Sequence, residues 1–207
     1  MKRFLAVAGC LVLGATMAVG QTKEAGAHAQ ASCTMKVAQV PSIGGLRLGM
    51  TPDEVLALFP GSREDAEVRA AVAAPARGMG VSGFSIKPEK YSSKAKFAGV
   101  SQITFTLIDG RVSSFNVGYN GPEWKHVDQF VTKFSEGSKL PPASAWEAYV
   151  GMDTQLKTLK CRDFEISIFA GGKNVHNLNY VEIRDMEAKR KLLERRAKAA
   201  EAKKAGQ

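Results

Sequence analysis

The sequence predicts an α+β fold: an antiparallel sheet of four or five strands with helices packed on one face, plus a charged helix at the C-terminus. Three observations support this prediction. Apolar and polar residues alternate within 102–119 and 164–185, a helical pattern precedes each of these segments, and residues 186–207 consist mainly of strong helix formers. The order helix, strands, helix, strands is typical of α+β proteins.

Residues 1–20 are typical of a cleavable signal peptide. Lys2 and Arg3 precede an apolar run, and small residues stand just before Gln21. One alternative is a membrane anchor, but the run is shorter than the roughly 20 apolar residues that a span needs. The other is lipid attachment at Cys10, the end of the sequence VAGC, which would leave apolar residues at the start of the mature chain. We therefore expect an exported protein, periplasmic or secreted.

The mature chain divides into three parts in this prediction. Residues 21–32 are a flexible lead-in, 33–185 a single domain and 186–207 a charged helical tail. Cys33 and Cys161 are the two cysteines of the mature part, and exported compartments oxidise thiols, so we predict a disulfide between them. The alternative is two unpaired buried thiols. Neither cysteine has a second Cys or His at a spacing that suits a metal.

The net charge of +9 is concentrated at the two ends of the chain. Residues 186–204 contain eight basic and three acidic residues, which gives +5, and residues 2–3 add +2. About +2 remains for the body, so charge gives no reason to expect a polyanion-binding surface there. An exported protein also rarely meets nucleic acid, and we exclude that partner.

The clearest local signal in the first half is a helix start. Thr51 is the predicted N-cap, Pro52 occupies the first helical position, and Glu54 completes a capping box, before a Pro-Gly pair ends the helix. Ser62 is predicted to cap a second helix that extends to about residue 73. Residues 74–99 are irregular, and we interpret most of them as an exposed loop in which only 84–86 suggest a strand.

A β-hairpin and a following helix are predicted to form the core. Apolar residues alternate along 103–107 and 115–119 around the turn Asp109-Gly110. A helix is predicted to begin at Pro122 and end at Gly137, with an apolar stripe of Trp124, Val127, Val131 and Phe134. This stripe should lie on the apolar face of the hairpin.

A second strand pair closes the predicted domain. It comprises 164–168 and 180–185, joined by a glycine-containing loop, and an aromatic segment with Trp146 and Tyr149 precedes it. The tail beyond Asp185 has glutamate and lysine four residues apart, as in solvated helices, but apart from alanine its only apolar residues are Met186, Leu192 and Leu193. We expect a solvated, frayed helix.

The segment from Leu48 to Val55, LGMTPDEV, followed further on by an antiparallel meander, resembles the opening of BamE/SmpA-type outer-membrane assembly lipoproteins and of β-lactamase-inhibitor-protein-like (BLIP-like) domains. Those domains place the GMT segment at a helix start and fold small helices against an antiparallel sheet. The resemblance covers about 15 residues well. It implies a small α+β domain that acts in the cell envelope.

No motif predicts catalysis, a cofactor or a metal. Gly78, Gly80 and Gly83 match the string GxGxxG, but that fingerprint requires a preceding strand and a helix after it, and the pattern here is reversed. His28, His126 and His176 form no metal-ligand pair in the sequence. We therefore expect a protein that is not an enzyme and has no cofactor.

Binding is the remaining function class, with another envelope or extracellular protein as the expected partner. The candidate surfaces are the aromatic segment and a basic loop, with the residues Trp146, Tyr149, Lys87, Lys90, Lys94 and Lys96. Core packing is the alternative for both aromatics. A second hypothesis is that the basic tail attaches the protein to anionic lipid headgroups or cell-wall polymer. A third is a hydrolase with an unrecognised site.

Overall fold

The computed structural model describes residues 33–121, 124–151, 154–171 and 178–205. Within them the chain forms one seven-stranded antiparallel sheet, in the order β1-β2-β3-β7-β6-β5-β4, and four α-helices. The strands are β1 Val81–Ile86, β2 Val100–Ile108, β3 Arg111–Asn120, β4 Glu147–Gly151, β5 Thr154–Lys160, β6 Phe164–Gly171 and β7 Leu178–Asp185. The helices are α1 Pro52–Leu56, α2 Ala66–Ala73, α3 Val127–Ser135 and α4 Met186–Ala205. The α+β class and the C-terminal helix are confirmed, and the strand number of four or five is wrong.

The additional strands lie in two segments for which no strand pair was predicted. Strand β1 lies within 74–99, most of which was interpreted as an exposed loop. It includes the predicted strand residues 84–86, begins at Val81 and pairs along its whole length with β2. Gly83 allows this pairing, because a Cβ atom there would lie 2.6 Å from the carbonyl oxygen of Phe105. Strands β4 and β5 form a hairpin in the aromatic segment and its continuation, at the opposite edge of the sheet.

The core lies on one face of the sheet and is organised as a row of apolar residues across six strands. Neighbours in the row are direct cross-strand partners, and every member is at most 5% exposed. Cross-strand pairs of this kind stabilise a sheet. The row comprises Phe84, Phe105, Phe115, Ile183, Ile166 and Leu159.

Helix α3 covers this face and begins at Val127, five residues after the predicted start at Pro122. Its first turn has no cap from a neighbouring residue. Instead, the side-chain oxygen of Gln155 on β5 accepts a hydrogen bond from the Val127 N–H at 2.6 Å. Lys157, also on β5, forms an ion pair with Asp128 at 2.6 Å. Contacts with a distant strand therefore fix the start of this helix, which explains the difference from the prediction.

Helix α1 begins as predicted. Thr51 accepts a hydrogen bond from the Glu54 N–H, and the Glu54 carboxylate accepts one from the Thr51 N–H. Two backbone hydrogen bonds of 2.8 Å, from the Gly49 N–H to the Val112 carbonyl and from the Val112 N–H to the Met50 carbonyl, join the preceding segment to β3. Helix α2 is capped by Asp65. Ser62, the predicted cap, is instead fully buried.

The sulfur atoms of Cys33 and Cys161 lie at disulfide-bonding distance, with their Cα atoms 4.5 Å apart. The predicted pairing is confirmed. It ties the first described residues to the segment that leads into β6. The predicted signal peptide, residues 1–20, and the predicted lead-in, 21–32, lie outside the described residues. In the part of the chain that the structure describes, no helix has the length and hydropathy needed to cross a bilayer.

Helix α4 is largely exposed, and Arg195 attaches it to the β2–β3 turn of the domain. The Arg195 guanidinium donates two hydrogen bonds, of 2.9 and 2.6 Å, to the Asp109 carboxylate in the β2–β3 turn. This pairing holds the pKa of Asp109 below its ordinary value. The ten residues from 196 to 205 are all exposed. The expectation of a wholly solvated tail is therefore corrected for the first half of the helix, which Arg195 ties to the domain.

Candidate ligand-binding cavity

A cavity of about 930 Å³ opens between the end of β3, helix α3 and the segment 39–44 near the disulfide. Its apolar lining consists mainly of aromatic rings, contributed by Tyr119, Trp124, Phe130 and Phe134, together with Ile43. Both its size and its lining are typical of small-molecule sites, which span about 300–1,000 Å³ and are mostly apolar.

The rings of the cavity wall are packed against one another. Trp124 lies parallel to Phe130, with ring centroids 5.2 Å apart, and Tyr119 meets Phe130 edge-on at 5.7 Å. Phe130 and Phe134 stand one turn apart on α3, Tyr119 is near the end of β3, and Trp124 lies in the connection between these elements. Three rings from three consecutive elements therefore form one continuous apolar surface.

Trp124 has a polar group that the surrounding protein does not use. Its indole N–H is buried and has no hydrogen-bond acceptor among the described residues. An unpaired buried donor costs about 1–3 kcal/mol. The Trp124 indole N–H is therefore a cost to the fold that no hydrogen bond within the described residues offsets.

The opposite wall, segment 39–44, is held in place by close packing. Gly44 has φ +58°, and a Cβ atom at this position would lie 2.3 Å from Cε1 of Phe97. The Phe97 ring is buried and stacks on Phe59, with ring centroids 4.8 Å apart. The absence of a side chain at Gly44 thus lets the wall approach the core and leaves the cavity open beside it.

We predict that Gly44→Ala destabilises the protein by about 1–3 kcal/mol, because the new methyl group must displace a buried ring and the backbone conformation disfavours L-residues. Gly99→Ala is the matched control, since Gly99 also lines the cavity and has φ +79°, but a Cβ atom there would have no neighbour within 4 Å. Chemical denaturation of both variants measures the difference. Equal losses of stability would show that the approach to Phe97 is not what limits this position.

The charged residues of the cavity lie at the C-terminal end of α3 and in the turn that follows. Lys133 and Glu136 form an ion pair at 2.7 Å. Lys139 also lines the cavity and forms no ion pair with any described residue. The charged lining therefore has a net charge of +1, from two lysines and one glutamate.

Burial raises the pKa of Tyr119 to about 12. The unfolded-state pKa is about 10, so the neutral phenol is favoured in the fold. This contribution to stability is fully present below about pH 10 and is lost as the pH rises towards about 12. Burial, and then the hydrogen bond that the phenol donates to Asp65, also raise the pKa of Tyr91 to about 12.

We predict that Tyr119→Phe reduces the loss of stability at high pH. Between about pH 9 and about pH 11 the wild type should lose about 1 kcal/mol more than the variant, because phenylalanine cannot ionise. Urea unfolding at the two pH values tests this. Since Tyr91 remains in both proteins, its titration cancels in the comparison. Parallel pH curves would mean that the Tyr119 phenol is not buried in solution.

Four titratable side chains line the cavity among the described residues. Its titratable lining comprises Tyr119, Lys133, Glu136 and Lys139, without a histidine, cysteine or aspartate. Within the described ranges, no three His, Cys, Asp or Glu side chains are grouped so that they could hold a metal ion. The arrangement can enclose an apolar molecule and place a charged group near a lysine.

The structure separates the two aromatic residues predicted from the sequence. Trp146 is 3% exposed, and its indole N–H donates a hydrogen bond to the Pro141 carbonyl at 3.1 Å. It is therefore part of the core, which was the alternative interpretation, and is unavailable to a partner. Tyr149 is 66% exposed on the edge strand β4. Neither residue lines the large cavity.

The four basic-loop residues are exposed and also lie outside the cavity lining. Lys90 is engaged locally, 3.6 Å from Asp65 and 3.5 Å from Glu67, whereas Lys87, Lys94 and Lys96 form no ion pair with a described residue. The GxGxxG string leads into β1 and not into a helix, as its neighbours in the sequence indicated. His126 is exposed before α3, and His28 and His176 lie outside the described residues.

The cavity itself was not predicted from the sequence. The sequence pattern assigned Trp124 and Phe134 to a core-facing stripe and did not single out Phe130, Lys133 or Lys139. One signal was present: aromatic residues recur at 119, 124, 130 and 134, more densely than elsewhere in the chain. Clustered aromatic residues are equally typical of a packed core, so this pattern did not distinguish a cavity wall from a protein core.

Comparison with known proteins identifies no relative of this chain. No protein-family model matches the chain, and searches of curated proteins and of solved structures find no significant match. The resemblance to BamE/SmpA-type and β-lactamase-inhibitor-protein-like domains therefore stays a prediction from the LGMTPDEV segment.

Proposed function

We propose that this protein is an exported, non-catalytic binding module that holds a small apolar molecule in the cavity between segment 39–44 and α3. The observation that supports this most strongly is the cavity itself, with about 930 Å³ of space beside four aromatic side chains. An apolar molecule that leaves water for such a site gains about 25 cal/mol for each Å² of surface it buries.

Two further observations support a role in binding. Contacts within the protein hold the walls of the cavity, because ring stacking fixes one wall and the close approach at Gly44 fixes the other. A preformed site avoids the cost of ordering its walls on binding. The pairing of Cys33 with Cys161 fits an oxidising compartment, which supports the expectation of export.

The protein partner expected from the sequence is a separate hypothesis. Tyr149 and the basic loop remain exposed and available for it, but they do not line this cavity. We therefore propose the apolar ligand as the principal function and keep protein binding through Tyr149 as a prediction.

The proposal is tested by titrating 1-decanol into the Trp146→Phe variant. The chain has two tryptophans, so Trp124 is then the only indole, and it reports directly on the cavity. A saturable change of emission with a Kd below about 100 µM is expected. The test is repeated with Ala98→Phe, which places a ring in the cavity lining, and with Ala148→Phe on the exposed face of β4.

The first of these two variants should abolish saturable binding, and the second should leave it unchanged. Thermal unfolding confirms that both are folded. No saturable response in the Trp146→Phe protein, or equal binding by Ala98→Phe and Ala148→Phe, would contradict the proposal.

A second candidate function, attachment to an anionic surface, is favoured by the exposure of residues 196–205. They contain four basic residues and one acidic residue, and none is buried. Lysine and arginine near an anionic surface each contribute about 1 kcal/mol of attraction, which added salt screens. Residues 196–205 are therefore the part of the basic tail that could bind an anionic surface.

We predict that deleting 196–207 lowers binding to phosphatidylglycerol vesicles at low salt without lowering the Tm. The deletion keeps Arg195 and its pairing with Asp109, so the packing of α4 on the domain is preserved. A second variant with Arg196, Lys198, Lys203 and Lys204 changed to glutamine controls for chain length and should bind equally weakly. Vesicle binding that is unchanged by both variants would remove this candidate, and a lower Tm would show that the end of α4 is structural.

A further inference from the structure

We infer that the ligand of the cavity is a single-chain amphiphile with an anionic head group, such as a fatty acid, whose chain lies among the aromatic rings and whose head lies near Lys139. This inference rests on the proposed function and specifies the class of molecule that the cavity accepts. Two features of the lining support it: the polar groups that are free to bind a ligand, and the positive charge of Lys139, which has no ionic partner among the described residues.

Half of the polar side chains of the lining are already engaged within the protein, namely Gln39, Lys133, Glu136 and Ser138. The side-chain oxygen of Gln39 accepts a hydrogen bond from the Lys36 N–H at 2.8 Å. The Ser138 hydroxyl donates to the Ser135 carbonyl at 2.7 Å and accepts from the Leu140 N–H. A ligand with many polar substituents would leave them unpaired on desolvation, which is costly. Together with its aromatic rings, the lining therefore favours a molecule whose body is mainly apolar.

The charged part of the lining favours an anion. Lys133 and Glu136 neutralise each other, and the exposed Lys139 has no ionic partner among the described residues. All three belong to 133–139, at the C-terminal end of α3 and the turn after it, whereas Tyr119 and Trp124 line the cavity from other elements. One continuous cavity thus offers an aromatic surface and a single uncompensated positive charge. An amphiphile with one anionic group is complementary to both.

The inference is tested with three ligands of equal chain length at neutral pH, below their micellar concentrations: decanoate, 1-decanol and decylammonium. Trp124 emission in the Trp146→Phe protein gives each Kd. We expect decanoate to bind about three- to fivefold more tightly than 1-decanol at low salt, since one exposed ionic contact gives a preference of this size. Decylammonium should bind least tightly, and added salt should reduce the differences.

Lys139→Gln should abolish the preference for decanoate over 1-decanol. Lys94→Gln removes a lysine that does not line the cavity and serves as the matched control, which should retain the preference. Equal affinities for decanoate and 1-decanol, tighter binding of decylammonium, or loss of the preference in both variants would overturn the inference while leaving apolar binding intact. Failure of all three ligands would instead contradict the proposed function itself.

A final arm distinguishes a free anionic amphiphile from a membrane lipid. Phosphatidylglycerol vesicles are added to the Trp146→Phe protein in place of decanoate. We expect monomeric decanoate to change the Trp124 emission, with Ala98→Phe removing the effect. A change of Trp124 emission with vesicles but not with decanoate would show that the site binds a lipid surface. It would overturn the inference that the ligand is a free amphiphile.

Discussion

Replacing both Cys33 and Cys161 with serine is expected to lower the free energy of unfolding by about 4–5 kcal/mol. The two cysteines are 128 residues apart, so their bond excludes many extended conformations of the unfolded chain. The bridge also lies just before segment 39–44, one wall of the cavity. We therefore expect the variant to bind 1-decanol more weakly as well. Urea unfolding and the Trp124 titration measure the two effects.

Reduction of the wild type provides an internal control for this prediction. A reductant should destabilise the wild type by the same amount and leave the double serine variant unchanged. Thiol titration of the denatured, unreduced mature protein should find essentially no free thiol. A loss below about 1 kcal/mol, or two free thiols, would show that the bridge does not constrain the chain in solution.

Phe105→Ala is expected to destabilise the protein by about 3–5 kcal/mol, the usual cost of truncating a buried phenylalanine. Phe105 is 1% exposed and lies in the apolar row between Phe84 and Phe115. Its ring stacks on Phe84 with centroids 4.9 Å apart. The adjacent exposed residue Thr104, changed to valine, is the control and should alter stability by less than about 0.5 kcal/mol.

The free energy of unfolding can be measured in the same way for a variant of α3, the helix that covers the sheet. Val127→Ala removes methyl groups from a buried position on α3 and should destabilise in the same direction, by less than Phe105→Ala because less volume is lost. Losses below about 0.5 kcal/mol for both variants would mean that neither the central row nor α3 forms the core.

Elements whose sequence patterns involve only nearby residues could be predicted from the sequence. The capping box of Thr51 and Glu54 and the alternation around Asp109-Gly110 each involve residues within a few positions of one another. Both features occur in the structure as predicted. The disulfide could be predicted because only two cysteines follow the apolar N-terminal run.

Elements defined by distant contacts could not be predicted in this way. The start of α3 depends on Gln155, a residue 28 positions away in sequence. Strand β1 contains Gly83, which weakens a local strand signal and is favourable only beside the Phe105 carbonyl. The sequence therefore indicated only residues 84–86 of β1, and the β4–β5 hairpin was not predicted.

The cavity is the clearest case of this limit. Its walls come from segment 39–44, the end of β3 and α3, and the aromatic residues on them have the same pattern as core residues. Whether such a ring faces packed protein or open space depends on how these elements are placed. The sequence likewise left open whether Trp146 was core or surface, and its hydrogen bond to Pro141 places it in the core.

The central claim is that an apolar molecule occupies this particular cavity, and the most direct measurement is a nuclear Overhauser experiment on the complex with 1-decanol. We predict contacts from the decanol methyl and chain protons to the rings of Trp124, Phe130 and Phe134, which line the cavity. Contacts confined to exposed residues such as Tyr149, or no intermolecular contacts at saturating ligand, would contradict the account.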